Sequence, residues 1–207
     1  MKLYEFGPTR SLRARWTLQE LGVDFEPVKV NILQGELVRP EFRRLNPACK
    51  LPVLVDGDFV LTESAAIVLY LAEKYPERHL IPSDLMERAE MYRWLMFTVT
   101  ELEQPLWRMT RHRSLYPEAE RLPGDIAIAS REFRQMAAVL DAHMQGREFV
   151  AGNSCTVADF VLAYTLDWGN EVGLLDQAPG LVAYMERMYA RPCASQRIAQ
   201  AYANMNS

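Results

Sequence analysis

The sequence predicts a small α/β domain followed by an all-helical domain, and three observations support this fold class. Predicted strands and helices alternate up to residue 75, whereas every regular pattern after residue 85 has helical spacing. Composition also changes, since all four lysines precede residue 83 and nine of the ten methionines lie at or after Met86. We therefore expect one domain over residues 1–77 and another over 85–207, joined by the proline-containing segment Tyr75–Ser83.

The first domain is predicted to begin with a strand, a helix and a second strand. Met1–Phe6 and Phe25–Val30 have the alternating pattern of strands. Pro27 marks the second as an edge strand, because proline cannot donate a hydrogen bond to a neighbouring strand. Leu12–Leu21 is a predicted helix that ends at Gly22, since glycine readily adopts the positive φ of a helix C-terminus.

The rest of this domain is predicted to contain a short helix, a hairpin and a longer helix. Glu36–Leu45 is the short, irregular helix. Val53–Val55 and Phe59–Leu61 flank Asp56-Gly57-Asp58, a turn sequence typical of β-hairpins. Ser64–Lys74 is the longer helix and completes the order β-α-β-α-β-β-α.

The second domain contains helical patterns throughout. Its first helix has an apolar stripe at spacings of three and four, formed by Leu85, Ala89, Tyr92, Met96 and Val99. Pro105 is expected to kink or end this helix, because proline lacks an N–H group and collides with the preceding turn. Thr156 and Asp159 predict a capping box. Further helices are predicted at Ile126–Met144, Val157–Trp168, Leu181–Ala190 and Ser195–Tyr202.

Charge, hydropathy and cysteine content argue against several classes of function. The net charge is −4, from 23 basic and 27 acidic residues, and no long basic run exists to follow a nucleic-acid backbone. No apolar run approaches the roughly 18 residues of a membrane span, and the N-terminus lacks a signal-peptide pattern, so we expect a cytoplasmic protein. Cys49, Cys155 and Cys193 include no C-x-x-C pair, which argues against a metal site or a dithiol.

Two segments of the first domain carry groups suited to binding a thiol-containing peptide. Thr9 and Ser11 lie at the start of the first helix, where a hydroxyl either caps the helix or donates a hydrogen bond to a thiolate. Leu51-Pro52 precedes a strand, and a cis bond there would leave the Leu51 backbone free to pair with an extended peptide. An ordinary trans entry into the strand is the alternative interpretation. Cys49 is interpreted as structural, because no histidine is near it in sequence.

A third segment combines Glu63 and Ser64 at the start of the last helix of this domain. The Ser64 hydroxyl and the N–H groups that follow it form an anion site, and the Glu63 carboxylate suits an ammonium group. Together they match the α-carboxylate and α-ammonium of an amino acid. A plain helix cap is the alternative interpretation.

In their order and spacing, these motifs resemble the cytosolic glutathione transferases, in particular a bacterial, serine-type kind. The matching motifs are Ser11-Leu12-Arg13-Ala14-Arg15, Asn46-Pro47 with Lys50-Leu51-Pro52-Val53-Leu54, Thr62-Glu63-Ser64 with Ala66-Ile67, and Thr156-Val157-Ala158-Asp159. The resemblance implies a thioredoxin-like N-terminal domain that binds glutathione. It also implies a helical C-terminal domain that forms the pocket for a second substrate, with no metal.

The resemblance assigns glutathione contacts to six residues. Backbone groups beside a cis proline would pair with the cysteinyl part. Side chains would hold the γ-glutamyl end and the glycyl carboxylate. Leu51 and Pro52 are assigned to the cysteinyl part and Glu63 and Ser64 to the γ-glutamyl end. Lys50 and Arg39 are assigned to the glycyl carboxylate.

Three hydroxyls are candidates for stabilising the glutathione thiolate. We expect Ser11 to be the donor, because it heads the helix and is followed by Leu12-Arg13 as in the serine-type relatives. Thr9 is the second candidate and Tyr4 the third. Arg10 stands where one bacterial class has a catalytic cysteine, so the resemblance excludes a mixed disulfide with glutathione at that position.

The second-substrate pocket is expected near the end of the long helix, just after Pro105. Its candidate residues are Trp107, Arg108, His112 and Tyr116. The basic cluster from Arg108 to Arg113 either attracts an acidic co-substrate or forms a solvated helix end.

We therefore expect a detoxification enzyme that activates glutathione as a thiolate and conjugates it to a small hydrophobic or electrophilic molecule. A glutathione-dependent peroxidase or disulfide reductase needs the same thiolate and is the first alternative. A non-catalytic interaction protein of the same fold is the second. The resemblance also implies a homodimer, for which Met91, Leu95 and Leu102, off the main stripe of the long helix, are candidate interface residues.

Overall fold

The computed structural model describes residues 1–205, which divide into two compact units. The first unit contains residues 1–81 together with residues 189–205. The second contains Pro82–Met188. The sequence pattern assigned residues 85–207 to the helical domain. Of these, residues 189–205 group with the first unit, and residues 206–207 lie outside the described residues.

The first unit is built on a four-stranded mixed sheet in the order β2-β1-β3-β4. The strands are β1 (Lys2–Glu5), β2 (Glu26–Lys29), β3 (Val53–Asp56) and β4 (Phe59–Thr62). β2 runs parallel to β1 at one edge, as Pro27 predicted, and β3 is antiparallel to both β1 and β4. The tight turn between β3 and β4 uses Gly57 at φ 62°, as the Asp-Gly sequence predicted.

Three helices follow from local signals in the same unit. α1 (Ser11–Leu21) ends at Gly22, whose φ of 66° lets its N–H bond back to the carbonyls of Leu18 and Gln19. α2 (Pro40–Leu45) is short and follows two 3₁₀ turns, Ile32–Gln34 and Glu36–Val38. The second turn and α2 lie in the stretch predicted as a short, irregular helix. α3 spans Ser64–Lys74, as predicted.

Side chains alternate across the sheet and build a core on each face. Leu3 pairs with Leu54, and both are fully buried on one face. Tyr4 pairs with Val53 on the other face, where Val30, Phe42 and Val53 form a buried cluster. The Tyr4 ring contacts Phe42 edge-on at 6.4 Å between centroids. Tyr4 is therefore a packing residue of the α2 face, which removes support for its role as thiolate donor.

The second unit is helical, and within 82–188, all of which is described, no strand occurs. Its helices are α4 (Leu85–Phe97), α5 (Glu103–Thr110), α6 (Pro123–Met144), α7 (Val157–Glu171) and α8 (Pro179–Tyr189), the last residue of which belongs to the first unit. No helix of residues 1–205 is both long and apolar enough to cross a membrane.

The apolar stripe of α4 does not face the core of its unit. Leu85 and Met96 are 77% and 45% exposed. The residues expected to lie off the stripe are instead fully buried in the core, namely Met91, Leu95 and Leu102. They are therefore not available as the interface residues that the sequence suggested. Both faces of this helix are apolar, and periodicity cannot tell which one the neighbouring helices cover.

Pro105 does not end the helical run. π-helical turns at Thr98–Leu102 and Arg111–Leu115 connect α4, α5 and the following segment without a break. The N–H of Glu103 bonds to the Thr98 carbonyl five residues back, so the hydrogen-bond register has already shifted before Pro105. The missing N–H of proline is accommodated by this shift.

A buried carboxylate connects α7 to the loop before it and to α8. Asp159 Oδ2 accepts the N–H and the hydroxyl of Thr156 at 2.8 and 3.0 Å, and the predicted capping box forms. Asp159 Oδ1 accepts the Val150 N–H at 2.8 Å and the Tyr184 hydroxyl at 2.7 Å. Burial raises the pKa of the Asp159 carboxyl, and these four hydrogen bonds oppose that rise.

The segment that follows α8 is held against α1. Arg191 donates from Nε and Nη2 to the two carboxylate oxygens of Glu20, at 2.7 and 2.8 Å. Trp16 donates to the same carboxylate at 3.1 Å, and its ring lies 4.8 Å from that of Tyr189. A last short helix follows, α9 (Ile198–Ala203). Burial by itself raises the pKa of the Glu20 carboxyl, but the hydrogen bonds from Arg191 and Trp16 lower it overall.

We predict that Glu20→Gln destabilises the protein in a pH-dependent way. A glutamate whose pKa is lowered by folding adds stability above its ordinary pKa of about 4.3 and loses that contribution as pH falls through the folded-state value. At neutral pH the free energy of unfolding should fall by about 1.5–3 kcal/mol. Urea denaturation from neutral to acidic pH should show that the difference in free energy of unfolding between Glu20→Gln and wild type becomes smaller as the pH falls. Glu73→Gln, on exposed α3 surface, is the control, and a pH-independent difference would contradict the prediction.

Candidate functional site

The strand register brings three chain segments to one end of the sheet. Tyr4 of β1 lies beside Val53 of β3, which lies beside Thr62 of β4. The loop that leaves β1, the residues that precede β3 and the residues that follow β4 therefore emerge side by side. These are the segments around Thr9 and Ser11, Leu51-Pro52, and Glu63-Ser64.

Thr9 and Ser11 form a pair of hydrogen-bonded hydroxyls whose oxygens are 2.7 Å apart. The Ser11 oxygen accepts the Phe6 N–H at 3.4 Å. The Thr9 hydroxyl donates to the Phe6 carbonyl, and its oxygen accepts the Ser11 N–H at 3.2 Å. Because a hydroxyl has one proton and that of Thr9 is directed to Phe6, Ser11 is the donor in the bond between the two hydroxyls.

The two hydroxyls differ in their access to a ligand. Ser11 is 1% exposed, whereas Thr9 is half-buried. The Phe6 carbonyl also accepts the Thr9 N–H, at 3.1 Å. The Thr9 hydroxyl can therefore turn toward a ligand without leaving that carbonyl unpaired. This geometry favours Thr9 over Ser11 as the group that a ligand reaches, which reverses the order expected from sequence.

The N–H groups at the start of α1 are already used within the chain. The N–H groups of Leu12 and Arg13 bond to the carbonyls of Thr9 and Arg10 at 3.1 and 3.2 Å. The Ser11 N–H bonds to the Thr9 hydroxyl. These bonds reduce what the helix end offers to an anion, and the hydroxyls carry correspondingly more of that role.

Asn46 organises the chain before β3. Its side chain accepts the Ala48 N–H at 3.0 Å and donates to the Lys50 carbonyl at 2.8 Å. The Leu51–Pro52 peptide bond that follows is cis, as the resemblance implied. Asn46 is 6% exposed and is therefore a positioning residue for the Lys50-Leu51 segment.

The Glu63-Ser64 segment presents a carboxylate beside a helix N-terminus. Glu63 has a φ of 66° and is exposed, and among the described residues no cation pairs with it. Ser64 is 6% exposed, and its oxygen accepts a hydrogen bond from Arg13 Nη1 at 3.2 Å. Arg13 is itself 1% exposed, so a buried cation lies behind the start of α3. This arrangement suits a ligand with an ammonium group and a carboxylate.

The two residues assigned to a glycyl carboxylate are exposed. Arg39 donates to Glu36 Oε1 at 3.1 Å and is already paired. Lys50 forms no ion pair within residues 1–205. Cys49 has a φ of 54° and its thiol points to the Pro47 carbonyl at 3.6 Å, in agreement with a structural role.

The residues expected in a second-substrate pocket lie in the other unit, on α5 and the π-helical turn after it. Arg108 is bound by two carboxylates, Asp125 and Glu132. Its hydrogen bond holds the pKa of Asp125 below the ordinary value. His112 Nδ1 accepts the Leu122 N–H at 3.2 Å, which directs the proton on Nε2 to Asp125, also at 3.2 Å. These contacts engage the Arg108 guanidinium and both ring nitrogens of His112 within the chain.

Tyr116 and Trp107 are the remaining candidates in that region. The Tyr116 ring lies 4.9 Å from the His112 ring and 5.4 Å from the Arg111 guanidinium. Trp107 is half-buried on α5.

Sequence reasoning missed three residues that shape the site. Asn46 and Arg13 stood inside the motifs that carried the resemblance but were given no role. An Asn before proline is a common turn signal and could have identified Asn46. Phe6 had no signal, because it contributes through its backbone N–H and carbonyl.

Comparisons with known proteins agree with this architecture. The family models "Glutathione S-transferase, N-terminal domain" and "Glutathione S-transferase, C-terminal domain" match residues 1–73 and 104–192. Glutathione S-transferase F10 of Arabidopsis thaliana is 36% identical over 72% of this chain and 71% of its own length. Glutathione S-transferase GST-4.5 of Xanthomonas campestris is 33% identical over 92% of this chain and 93% of its own.

A solved structure of a sphingomonad glutathione S-transferase complexed with glutathione superposes with a TM-score of 0.82, at 30% identity over 100% of this chain and 99% of that one. The first unit is thus a thioredoxin-like domain and the second a helical domain of this class. The chain belongs to the glutathione S-transferase family. Within residues 1–205, no cluster of three or more His, Cys, Asp or Glu side chains is arranged to hold a metal ion.

Proposed function

We propose that this protein binds glutathione at the sheet end formed by Thr9, Leu51-Pro52 and Glu63-Ser64, lowers the pKa of its thiol and conjugates it to a small hydrophobic or electrophilic molecule. The observation that carries the proposal is the hydroxyl chain in which Ser11 donates to Thr9. Family membership supports glutathione as the co-substrate. Detoxification and a cytoplasmic location belong to the same proposal.

In this proposal Thr9 donates to the thiolate and Ser11 positions Thr9. Free glutathione has a thiol pKa of about 8.5, so only a few per cent is thiolate at neutral pH. Lowering that pKa by about two units requires roughly 2.7 kcal/mol of preferential thiolate stabilisation. One hydroxyl hydrogen bond to the anion supplies about 1.5–3 kcal/mol. The bond from Ser11 polarises the Thr9 hydroxyl in the same direction.

The other contacts follow the charges of the site. Glu63 would bind the γ-glutamyl ammonium, and Ser64 with the start of α3 would bind the adjacent carboxylate. The Leu51 backbone would pair with the cysteinyl part. Lys50 is the first choice for the glycyl carboxylate, since Arg39 is already paired with Glu36. In the second unit, Trp107 and Tyr116 are the preferred candidates for binding the electrophile. Arg108 and His112 are less suitable, because carboxylates of the chain already pair with them.

We predict that Thr9→Val raises the pKa of bound glutathione by at least about one unit and lowers turnover far more near pH 6.5 than near pH 9. Thr9→Ser should restore most of the loss, because it keeps the donor. Ser11→Ala should have a smaller effect of the same kind. Ultraviolet difference titration of the bound thiolate and pH–rate profiles measure both quantities. The opposite order of effects would make Ser11 the donor.

The choice of second substrate is tested with wild-type protein on three compounds: an activated aryl halide, an organic hydroperoxide and a small disulfide. Conjugation of the aryl halide is expected to be the main reaction. Turnover of only the hydroperoxide or the disulfide would favour the reductase alternative. Absence of all three activities, with glutathione bound, would favour a non-catalytic interaction protein.

We predict that the wild type is retained on immobilised glutathione and that Glu63→Gln weakens glutathione binding by about 1.5–3 kcal/mol. This is about a ten- to hundred-fold rise in dissociation constant. The reason is the loss of the carboxylate that faces the ammonium group. Calorimetric titration measures the dissociation constant, with Glu73→Gln, at an exposed residue of α3, as the control. An unchanged affinity in Glu63→Gln would remove this residue from the site.

We also propose a symmetric homodimer. Its interface would be the exposed stripe of α4 rather than the buried residues Met91, Leu95 and Leu102. Leu85 and Met96 are exposed apolar residues of that stripe. An open apolar face on one helix suits a self-complementary twofold interface.

Sedimentation at micromolar concentration should give a species of about twice 23.8 kDa. Met96→Glu should shift it toward the monomer, because it places a charge in the interface. Val139→Glu, at a 49% exposed apolar residue of α6, is the matched control. A wild type found only as monomer would reject the dimer, and a Met96→Glu dimer would reject this interface.

A further inference from the structure

The segment that follows α8 reaches the turn that carries the candidate thiolate donor. A Cβ on Gly7 would lie 3.2 Å from both Ala201 Cβ and Gln196 Nε2. Ala201 belongs to α9 and is 2% exposed. Gly7 precedes Thr9 by two residues, so α9 packs against the chain between β1 and the hydroxyl pair. A side chain at position 7 would require α9 or the turn to move by a few tenths of an ångström.

The two neighbours of Gly7 differ in how easily they can yield. Gln196 Nε2 is the far end of a flexible side chain and can turn aside. Ala201 Cβ is attached directly to the helix backbone, so it can move only if α9 moves with it. The contact between Gly7 and Ala201 is therefore the more rigid of the two.

Contacts on both sides of Ala201 hold α9 in place. Before the helix, Arg191 binds both carboxylate oxygens of Glu20 on α1. Across the helix, Asn204 Nδ2 donates to Gln196 Oε1 at 2.9 Å, which joins the residues that flank α9. A helix anchored in this way can fix the position of the chain that it contacts.

The turn after β1 connects Gly7 to the hydroxyl of Thr9. The Phe6 carbonyl accepts both the N–H and the hydroxyl of Thr9, and the Phe6 N–H donates to Ser11. These bonds fix the shape of the turn, because they join its residues to one another. The contact with Ala201 comes from outside the turn and limits where it can lie. A displaced turn would carry the Thr9 hydroxyl with it.

We propose that α9 is a positioning element of the candidate site, which fixes the Thr9 hydroxyl through the contact of Ala201 with Gly7. The inference rests on the proposed function, in which that hydroxyl donates to the glutathione thiolate. Hydrogen bonds weaken steeply as their geometry departs from the optimum, so a displaced turn would stabilise the thiolate less. Ala201 would act through the turn and would not touch glutathione itself.

The test is an ultraviolet difference titration of glutathione bound to wild type and to Ala201→Leu. The larger side chain should displace the turn, and the pKa of the bound thiol should rise by at least about 0.5 unit. The glutathione dissociation constant should change by less than about three-fold, because Leu51, Glu63 and Ser64 are unaltered. Ala199→Leu, at an exposed residue of the same helix, is the matched control and should titrate like wild type.

A second set of variants tests the contact from the other side. Gly7→Ala should raise the pKa of the bound thiol, as Ala201→Leu does. Adding Ala201→Gly to Gly7→Ala removes the opposing Cβ and should return that pKa to within about 0.2 unit of the wild-type value. Ala201→Gly alone is the reference variant and should leave the thiol pKa unchanged.

Three results would overturn the inference: an unshifted thiol pKa in folded Ala201→Leu and Gly7→Ala, an equal shift in Ala199→Leu, or no recovery in the double variant. If far-ultraviolet circular dichroism shows that Ala201→Leu is unfolded, Gly7→Ala and its double variant decide. A wild type that binds no glutathione would reject the proposed function instead. Amide chemical shifts of Thr9 and Ser11 in the ligand-free protein then decide, since they should change in Ala201→Leu and not in Ala199→Leu. No such change would also overturn the inference.

Discussion

The pairing of β3 with both β1 and β4 is the constraint on which the site depends. Because β3 is antiparallel to both neighbours, its start lies beside the ends of the other two strands. Segments more than 40 residues apart in sequence, at Thr9 and at Pro52, therefore meet at one edge. A register slip of one residue would turn the fully buried Leu54 out of the core. The same packing that stabilises the sheet thus fixes the geometry of the site.

Local signals in the sequence predicted most elements of the first unit because the cause of each element is local. Gly22 ends α1 and Asp56-Gly57 forms the hairpin turn through backbone preferences that need no partner. The buried face of α4 was not predictable in this way, since the exposed stripe around Met96 is as apolar as the face around Leu95. The association of the last segment with α1 rests on an Arg191–Glu20 pair separated by 171 residues, for which no periodicity exists.

The candidate site shows a similar division between local and tertiary causes. Glu63 and Ser64 could be proposed from sequence as a ligand-binding pair, because a carboxylate beside a helix start suits an ammonium group next to a carboxylate. The sequence does not indicate which of Ser11 and Thr9 is the more available donor, because this depends on which hydroxyl proton is already hydrogen-bonded within the chain. The Phe6 carbonyl accepts both the hydroxyl and the N–H of Thr9. This shared acceptor, which has no signal in the sequence, is the reason for proposing the Thr9 hydroxyl as the donor.

Phe6 orders the hydroxyl pair through its backbone, while its side chain packs elsewhere. Its N–H and carbonyl are held by Ser11 and Thr9, whereas its ring is 5% exposed and its centroid lies 5.9 Å from Lys29 Nζ. In the proposed function the Thr9 hydroxyl turns from the Phe6 carbonyl to the thiolate. Two of the three hydrogen bonds of the Phe6 backbone remain in that case, namely those with the Ser11 oxygen and the Thr9 N–H. The segment that presents the hydroxyls can therefore keep its backbone conformation while the donor changes its partner.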